Sequence, residues 1–190
     1  NDDNAIPAEE RIHKDAPVVI AGNLSPGKAT YLYNFDHNVG THFNLYGIYI
    51  EEDKIKNLDY TYKGVGDAGK LPEILEGSYG LVWDGTDIDM CRGEYGEYLK
   101  VNNPHKFSLY LASCLPIIIW KQAALADVVE KYNLGFTINS LDDIAVKRKN
   151  ITEAQYNQMV ENIKRFSKKV SSGYFMKRAM DIVEGKRRIR

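Results

Sequence analysis

Short apolar stretches alternate along the chain with stretches whose apolar residues recur at helical spacing. The β-branched and aromatic stretches predict buried strands at 17–21, 43–50, 58–63, 79–83, 116–120 and 136–138. The helical spacing predicts helices after Ser25-Pro26 and at 71–75, 103–112 and 125–132. Capping-box patterns at Ser140/Asp143 and Thr152/Gln155 predict two more helices. This alternation favours an α/β fold, a Rossmann-like, doubly wound parallel sheet.

The two ends of the chain differ from this central pattern. Residues 1–15 are polar and are interpreted as a linker or tail, and residues 186–190 as a basic tail. The amphipathic helix that begins at Thr152 is predicted to break near 171–173 and to resume at 174–183. The predicted domain therefore covers residues 16–185. Because the chain starts at Asn1 without an initiator methionine, we expect a piece of a longer protein.

Composition and charge exclude several classes of protein. The formal net charge of −1 argues against nucleic-acid binding through a basic surface, and 44% hydrophobic residues argue against a disordered chain. The longest apolar run, 115–120, is far shorter than the roughly 20 residues that cross a bilayer. The two cysteines, Cys91 and Cys114, cannot form a disulfide framework. We expect a soluble protein of the reducing cytoplasm, in solution or at the inner face of the membrane.

The first candidate site is the turn that follows the first predicted strand. Gly22, Asn23 and Ser25 lie in the turn that closes the strand, and Lys28 lies in the first turn of the helix that we expect Ser25 to cap. In an open α/β sheet, ligands bind beyond the carboxyl ends of the strands, where helix N-termini attract anions. The turn is not a P-loop, because Ala29 stands where a Mg²⁺-binding hydroxyl is required. A capped turn with a solvated lysine is the alternative.

The second candidate site is the start of the helix at 103–112. We expect Asn103 at the N-cap and Pro104 at the first helical position, with His105 and Lys106 in the first turn. A cation at a helix N-terminus is unfavourable by roughly 0.3 to 1 kcal/mol, and a bound anion reverses that sign. The pattern therefore favours an anion site of a size that suits a diphosphate, with a plain surface turn as the alternative.

An acidic loop offers a competing interpretation. Asp84, Asp87 and Asp89 follow a predicted strand, and an Asp-x-Asp loop can hold Mg²⁺ or Mn²⁺ against phosphates. Short acidic loops are also common as solvated turns, which is the interpretation we favour. Cys114 is interpreted as a core residue and Cys91 as an unactivated thiol, since no histidine is near it in the sequence.

Residues 95–118, YGEYLKVNNPHKFSLYLASCLPII, carry a family resemblance. They resemble the donor domain of bacterial GT-B glycosyltransferases, and more narrowly the β-1,6-galactofuranosyltransferases and the adhesin-modifying glucosyltransferases. The Pro-x-Lys and Leu-Pro-Ile-Ile elements are general to GT-B donor domains, whereas Asn-Asn-Pro-His-Lys is more specific. IAGNLS at 20–25 and Gly135-Phe136 support the resemblance, which covers roughly residues 17–185.

The resemblance implies one half of a GT-B enzyme that binds a UDP-sugar opposite an N-terminal acceptor domain. It implies that the turn 22–25 and Lys28 flank the nucleotide, that Tyr62 lies by the base or ribose, and that Asn103 and Lys106 hold the diphosphate. No metal and no other cofactor are expected. The acidic pair of many retaining relatives is not evident, since only Glu130 stands in the right region, and this favours an inverting mechanism.

The function predicted from the sequence is transfer of a hexosyl unit, galactofuranose or glucose, to a glycan or glycosylated protein. The acceptor would bind through the other domain, and the catalytic base is not identified. A non-catalytic nucleotide-binding module is the alternative, and homo-oligomerisation stays open. A flavodoxin-like phospho-acceptor domain ranks low, because Gly22-Asn23 occupies the place of its acidic cluster.

Overall fold

A computed structural model describes residues 8–67 and 69–171 of the chain. Six strands form one parallel sheet: β1 (Val18–Asn23), β2 (Phe43–Ile48), β3 (Tyr60–Gly64), β4 (Gly80–Val82), β5 (Ile117–Trp120) and β6 (Gly135–Ile138). Their order across the sheet is β3-β2-β1-β4-β5-β6. The chain winds outward in one direction from β1 and in the other from β4, so the predicted doubly wound fold is confirmed.

Seven α-helices of the described residues flank the sheet: α1 (Ala8–Arg11), α2 (Leu71–Ile74), α3 (Gly93–Leu99), α4 (His105–Ala112), α5 (Ala126–Lys131), α6 (Asp143–Asn150) and α7 (Glu153–Ser171). Two 3₁₀ turns lie at Thr30–Tyr33 and Glu52–Lys54. All six predicted strands are present, each with ends shifted by no more than a few residues. The segments predicted as a resumed helix at 174–183 and a basic tail at 186–190 lie outside the described residues.

The apolar strands form the core of the domain. All four residues of β5 are buried, as expected for a strand covered on both faces. The ring of Trp120, the last residue of β5, packs edge to face against that of Trp83, with centroids 6.5 Å apart. The amphipathic face of α7 closes one side through Tyr156, Met159 and Ile163, all buried. Full burial of such side chains contributes roughly 1.5 to 3 kcal/mol each.

The seam between β1 and β4 is held open by a tyrosine. The two strands share a single register pair, Val19 with Gly80. The Tyr110 hydroxyl enters the seam, accepts a hydrogen bond from the Ala21 amide (3.1 Å) and lies 3.3 Å from the Leu81 carbonyl. Gly80 makes room for its ring, since a Cβ at that position would lie 2.1 Å from Tyr110 Cγ. The strands therefore part at the point where the strand order reverses.

Of the two predicted capping boxes after β6, the one at Thr152/Gln155 is confirmed and the one at Ser140/Asp143 forms only in part. The Thr152 amide donates to the Gln155 side chain (2.8 Å), and the Gln155 amide donates to the Thr152 hydroxyl (3.2 Å). The Asp143 carboxylate accepts from the Ser140 amide (3.2 Å), with Asp142 as the N-cap of α6. The Thr152/Gln155 box satisfies an amide that the N-terminus of α7 would leave without a partner, whereas α6 begins without a side-chain cap bond.

The predicted helix after Ser25-Pro26 is wrong. This segment forms a turn followed by the 3₁₀ turn Thr30–Tyr33. The Tyr31 amide donates to the Gly85 carbonyl (3.2 Å), which lies in the loop after β4, so a tertiary bond replaces the helical one. Ser25 is accordingly not a helix cap, because its own amide donates to the Asn23 side chain (2.9 Å).

Two further segments differ from expectation. The described part of the predicted linker at 1–15 includes α1, and Ile12 is buried and bridges to Gly77. Arg11 donates to the Leu75 carbonyl (2.7 Å), so this part packs on the domain. The polar stretch after β4, for which the sequence pattern predicts no helix or strand, contains α3.

Candidate functional site

The carboxyl ends of β1 and β4 diverge at the switch point of the sheet, the position where the strand order reverses. Gly22 and Asn23 end β1, and Trp83 and Asp84 follow β4. The first turn of α4 and the turn that carries Lys28 bring side chains to the same place. Such crevices are where open α/β sheets bind ligands, and we define the switch-point site by Gly22, Lys28, Asp84 and Lys106.

Lys106 enters this site from the first turn of α4. Its Nζ donates to the Asp84 carboxylate (2.8 Å) and to the Trp83 carbonyl (3.1 Å). The side chains of Lys106 and Asp84 are only 15% and 11% exposed. An ammonium carries three N–H donors, so one remains for a ligand. The lysine predicted to bind an anion is therefore in the first turn of α4, as expected, and Asp84 is its anionic partner.

Lys28 approaches the same carboxylate from the turn after β1. Its Nζ lies 3.5 Å from the centroid of the Tyr95 ring, a cation–π contact with α3. Burial lowers the pKa of Lys28, the charge of Asp84 acts to raise it, and the charge of Lys106 acts to lower it. Lys28 is thus partly buried and rests against Tyr95. Lys106 is bonded to Asp84, and Lys28 lies close enough for the charges of both to act on it, so two lysines and one carboxylate give the switch-point site a net positive charge.

Two paired glycines bring backbone close together beneath the lysines. Gly22 pairs with Gly47 of β2 in the sheet register, and both have positive φ, at 131° and 152°. A Cβ on Gly47 would lie 1.8 Å from the Gly22 carbonyl oxygen, and one on Gly22 would lie 3.8 Å from Lys106 Cε. Tyr62 of β3 reaches the same edge, where its hydroxyl donates to the Gly47 carbonyl (2.8 Å). The structure thus brings Gly22, Tyr62 and Lys106 to one edge of the sheet.

The start of α4 differs by one residue from the expected cap. Pro104, predicted at the first helical position, is the N-cap, and His105 is the first helical residue, without a side-chain cap. Asn103, predicted at the cap, lies one residue earlier, and both Asn103 and His105 are exposed. Asn103 lines a separate apolar groove of about 550 Å³, between α4, α5 and the end of α7. A direct role for Asn103 and His105 at the switch-point site remains a prediction.

The acidic loop after β4 does not gather its carboxylates. Asp84 pairs with Lys106, Asp87 accepts from the Thr86 hydroxyl, and Asp89 accepts from Arg92 (3.0 Å). Within residues 8–67 and 69–171, no group of three histidine, cysteine or acidic side chains is arranged to hold a metal ion. The three carboxylates thus have three different partners.

The remaining candidates are Glu130, which lies away from the switch-point site, and the two cysteines, which are unreactive. Glu130 is in the last turn of α5, the end away from the carboxyl edge, and accepts from the Thr137 hydroxyl (2.7 Å). Burial raises the pKa of the Cys91 and Cys114 thiols, which disfavours the reactive thiolate.

No helix within the described segments is both long and apolar enough to span a membrane.

The sequence profile of one family, glucosyltransferase 3-like, C-terminal domain, matches residues 18–183. The chain therefore belongs to this family. It is 37% identical over 173 residues to the β-1,6-galactofuranosyltransferase WbbI of Escherichia coli K12, covering 90% of this chain and 50% of WbbI. It is 31% identical over 131 residues to glucosyltransferase 3 of Streptococcus gordonii, covering 68% of this chain and 38% of that enzyme. The chain thus spans half or less of the length of these family members.

Solved glycosyltransferase structures share the fold of this family member. The β-glucosyltransferase of phage T4 in complex with UDP and Mn²⁺ superposes with a TM-score of 0.56 at 14% identity. The alignment covers 95% of this chain and 52% of the phage enzyme. A mutant of the phage enzyme in complex with UDP-glucose gives a TM-score of 0.57 at 13% identity, over 89% and 48% of the two chains. The expected fold, one half of a GT-B enzyme, is confirmed.

Three features of the site do not follow from sequence reasoning. The acidic loop pattern suggests Asp84 as a metal ligand, whereas the structure makes it the partner of Lys106. Tyr95 stands out in the sequence only as part of the family motif, and the structure places its ring against Lys28. Gly47 was missed, although a glycine inside a predicted strand is a signal for close backbone approach.

Proposed function

We propose that this chain is the donor-binding half of a bacterial glycosyltransferase and that it holds the diphosphate of a UDP-sugar at the switch-point site. One observation carries the proposal: Lys106 enters the crevice at the switch point and bonds to Asp84, and Lys28 lies near both of these charges. WbbI is a galactofuranosyltransferase, and a phage neighbour was solved with UDP, which supports a UDP-sugar as the ligand.

The surplus cation makes the site suited to a diphosphate. Asp84 alone would balance Lys106, so the position of Lys106 near a helix N-terminus does not by itself demand a bound anion. Lys28 adds a second charge in a partly buried place, where its burial disfavours the charged form. A diphosphate would restore the balance, and the N-terminus of α4 would add the favourable end of its dipole. Departing UDP would be stabilised by the same two lysines without a metal ion.

The neighbouring groups suit the rest of the nucleotide. Gly22 lacks a side chain where the backbone meets Lys106, so a phosphate could approach the Asn23–Ser25 turn closely. Tyr62, on β3 at the same edge, would lie beside the base or ribose. Asn103 and His105 are assigned to the diphosphate by the family resemblance alone.

The reaction we propose is transfer of galactofuranose or glucose to a glycan, or to a glycosylated protein, with inversion at the anomeric carbon. In that mechanism a base removes the proton of the acceptor hydroxyl as it attacks opposite UDP. The base and the acceptor would come from a part of the enzyme outside this chain. The enzyme would work in the cytoplasm, where nucleotide sugars serve surface polysaccharide synthesis.

Lys106→Ala tests the site. It should weaken UDP binding by about 1.5 to 3 kcal/mol, the range for a hydrogen bond to a charged group, while uridine binding changes little. Calorimetric titration of both ligands measures the two effects. Lys149→Ala removes an exposed lysine at the far end of α6 and should leave both affinities unchanged. Equal losses of UDP and uridine binding in Lys106→Ala would mean that the fold, not the phosphate contact, was damaged.

Metal independence has its own test. Because Asp84, Asp87 and Asp89 each have a different partner, UDP affinity should be the same in EDTA and in added Mn²⁺. Titrations in the two buffers compare the dissociation constants directly. A gain of tenfold or more with Mn²⁺, about 1.4 kcal/mol, would restore the Asp-x-Asp interpretation of this loop.

A further inference from the structure

Asp84 occupies an unusual position for an acidic residue in an anion-binding site. It is 8% exposed and directly follows β4, where it accepts a hydrogen bond from Lys106 at 2.8 Å. A carboxylate placed there repels the phosphates that the two lysines would attract. An exposed loop carboxylate such as Asp89 carries no such cost. The position of Asp84 therefore calls for a role of its own.

Without Asp84 the unliganded site would contain two close ammonium groups and no counter-charge. Lys106 is largely buried, and Lys28 already has its pKa lowered by burial and by the charge of Lys106. Partly buried cations without a partner are destabilising. Asp84 offsets this cost when no nucleotide is bound, and its bond to Lys106 fixes the ammonium beside the Trp83 carbonyl.

We propose that Asp84 is a built-in counter-ion that the diphosphate displaces: it holds Lys106 in place and offsets the charge of the two lysines when no nucleotide is bound, and it weakens the binding of UDP so that UDP can leave. This rests on the proposed function. Binding then exchanges one anionic partner for another, because the phosphates replace Asp84 as the main anionic partner of the two lysines. The arrangement favours turnover over tight binding of the nucleotide product.

Asp84→Asn separates this role from a merely structural one. Asparagine keeps a side-chain oxygen that can accept from Lys106, but it removes the charge. We expect the unliganded variant to melt at a lower temperature and to bind UDP on the order of tenfold more tightly at pH 7, about 1.4 kcal/mol. Damage to the fold alone would not strengthen binding. Asp89→Asn removes the same charge from the same loop and should change UDP affinity by less than about twofold.

The pH dependence gives a second readout of the same charge. Asp84 faces Lys106 and Tyr110 on α4, Lys28 and Tyr31 after β1, and Cys91 in its own loop. Of these groups, Lys28 already has a pKa below its ordinary value, and Asp84 acts to raise it. In Asp84→Asn the pKa of Lys28 should fall further. The UDP affinity of the variant should therefore begin to decline at a lower pH than that of the parent chain.

A charge-matched pair of variants keeps the test decisive if Asp84→Asn folds poorly. Lys28→Gln/Asp84→Asn has the same net charge in the site as the parent chain, and it should bind UDP on the order of tenfold more tightly than Lys28→Gln alone. Weaker or equal binding in the Asn variants, with the parent chain still binding UDP, would overturn the counter-ion role and leave the proposed function standing. Failure of the parent chain itself to bind UDP would overturn both.

Discussion

Gly47→Ala is expected to lower the free energy of unfolding by about 2 to 6 kcal/mol. The new Cβ would lie 1.8 Å from the Gly22 carbonyl oxygen, which belongs to backbone of the neighbouring strand and cannot rotate away. The φ of 152° adds strain, since L side chains rarely adopt it. Overpacking of this kind costs roughly 1 to 3 kcal/mol, and backbone strain of order 1 to 3 more. Equilibrium urea unfolding measures the loss.

Two other glycines serve as matched controls. Gly64 has a φ of 85°, and a methyl group added there would meet nothing within 4 Å, so Gly64→Ala should cost only the strain, about 1 to 2 kcal/mol. Gly27 has neither a positive φ nor a neighbour, so its replacement should be neutral or slightly stabilising. If Gly47→Ala proves as stable as Gly27→Ala, the close approach of β1 and β2 is not present in solution.

The same substitution should also alter the switch-point site. Gly47 pairs with Gly22 in the register, and its carbonyl accepts from the Tyr62 hydroxyl. Pushing the two backbones apart would move the end of β1 relative to Lys106. The fold and the site therefore depend on the same pair of glycines.

The elements that could be predicted are those fixed by local pattern. The apolar run of β5 is buried along its whole length, and the apolar positions of α7 face the core. Both could be predicted because the spacing of apolar residues in the sequence indicates which positions are buried. The reciprocal cap of Thr152 and Gln155 joins residues three positions apart, so the local sequence is enough to predict it.

The elements that could not be predicted depend on distant partners. Residues Thr30–Tyr33 form a 3₁₀ turn and not an α-helix, because the Tyr31 amide donates to the carbonyl of Gly85, which is distant in the sequence. Helix α3 was missed because it contains two glycines, which are poor helix formers. Gly96 is needed in α3 for a steric reason, because a Cβ at that position would lie 2.3 Å from the Cys91 carbonyl oxygen. Tertiary packing outweighs local propensity at both places.

The site divides in the same way. Lys106 could be placed near the carboxyl edge from its position at a predicted helix start after a predicted strand. Its pairing with Asp84 could not, because it depends on how the start of α4 packs against the end of β4, across a loop whose course the sequence pattern does not define. The contact of Lys28 with Tyr95 likewise joins the turn after β1 to an unpredicted helix.

This 190-residue chain alone is expected to bind UDP and to transfer no sugar. It spans about half of WbbI, and in the proposed mechanism the acceptor and the base approach from outside the chain. Asp84, the carboxylate of the switch-point site, is largely buried and paired with Lys106, so it is a poor base for an acceptor hydroxyl. Correct positioning of the reacting groups can supply roughly 7 to 11 kcal/mol of a barrier, which donor binding alone does not provide.

Two measurements on the same sample check both halves of this expectation. UDP at about 100 times its dissociation constant should stabilise the folded chain by about 2.7 kcal/mol, which raises Tm by roughly 5 to 11 °C for a chain of this size. Release of UDP from UDP-glucose or UDP-galactofuranose should not increase when glycan acceptors are added. An unchanged Tm would remove the donor site from this chain. Acceptor-dependent UDP release would instead mean that the catalytic base lies within this chain. The proposal that the base and the acceptor come from outside the chain would then be wrong.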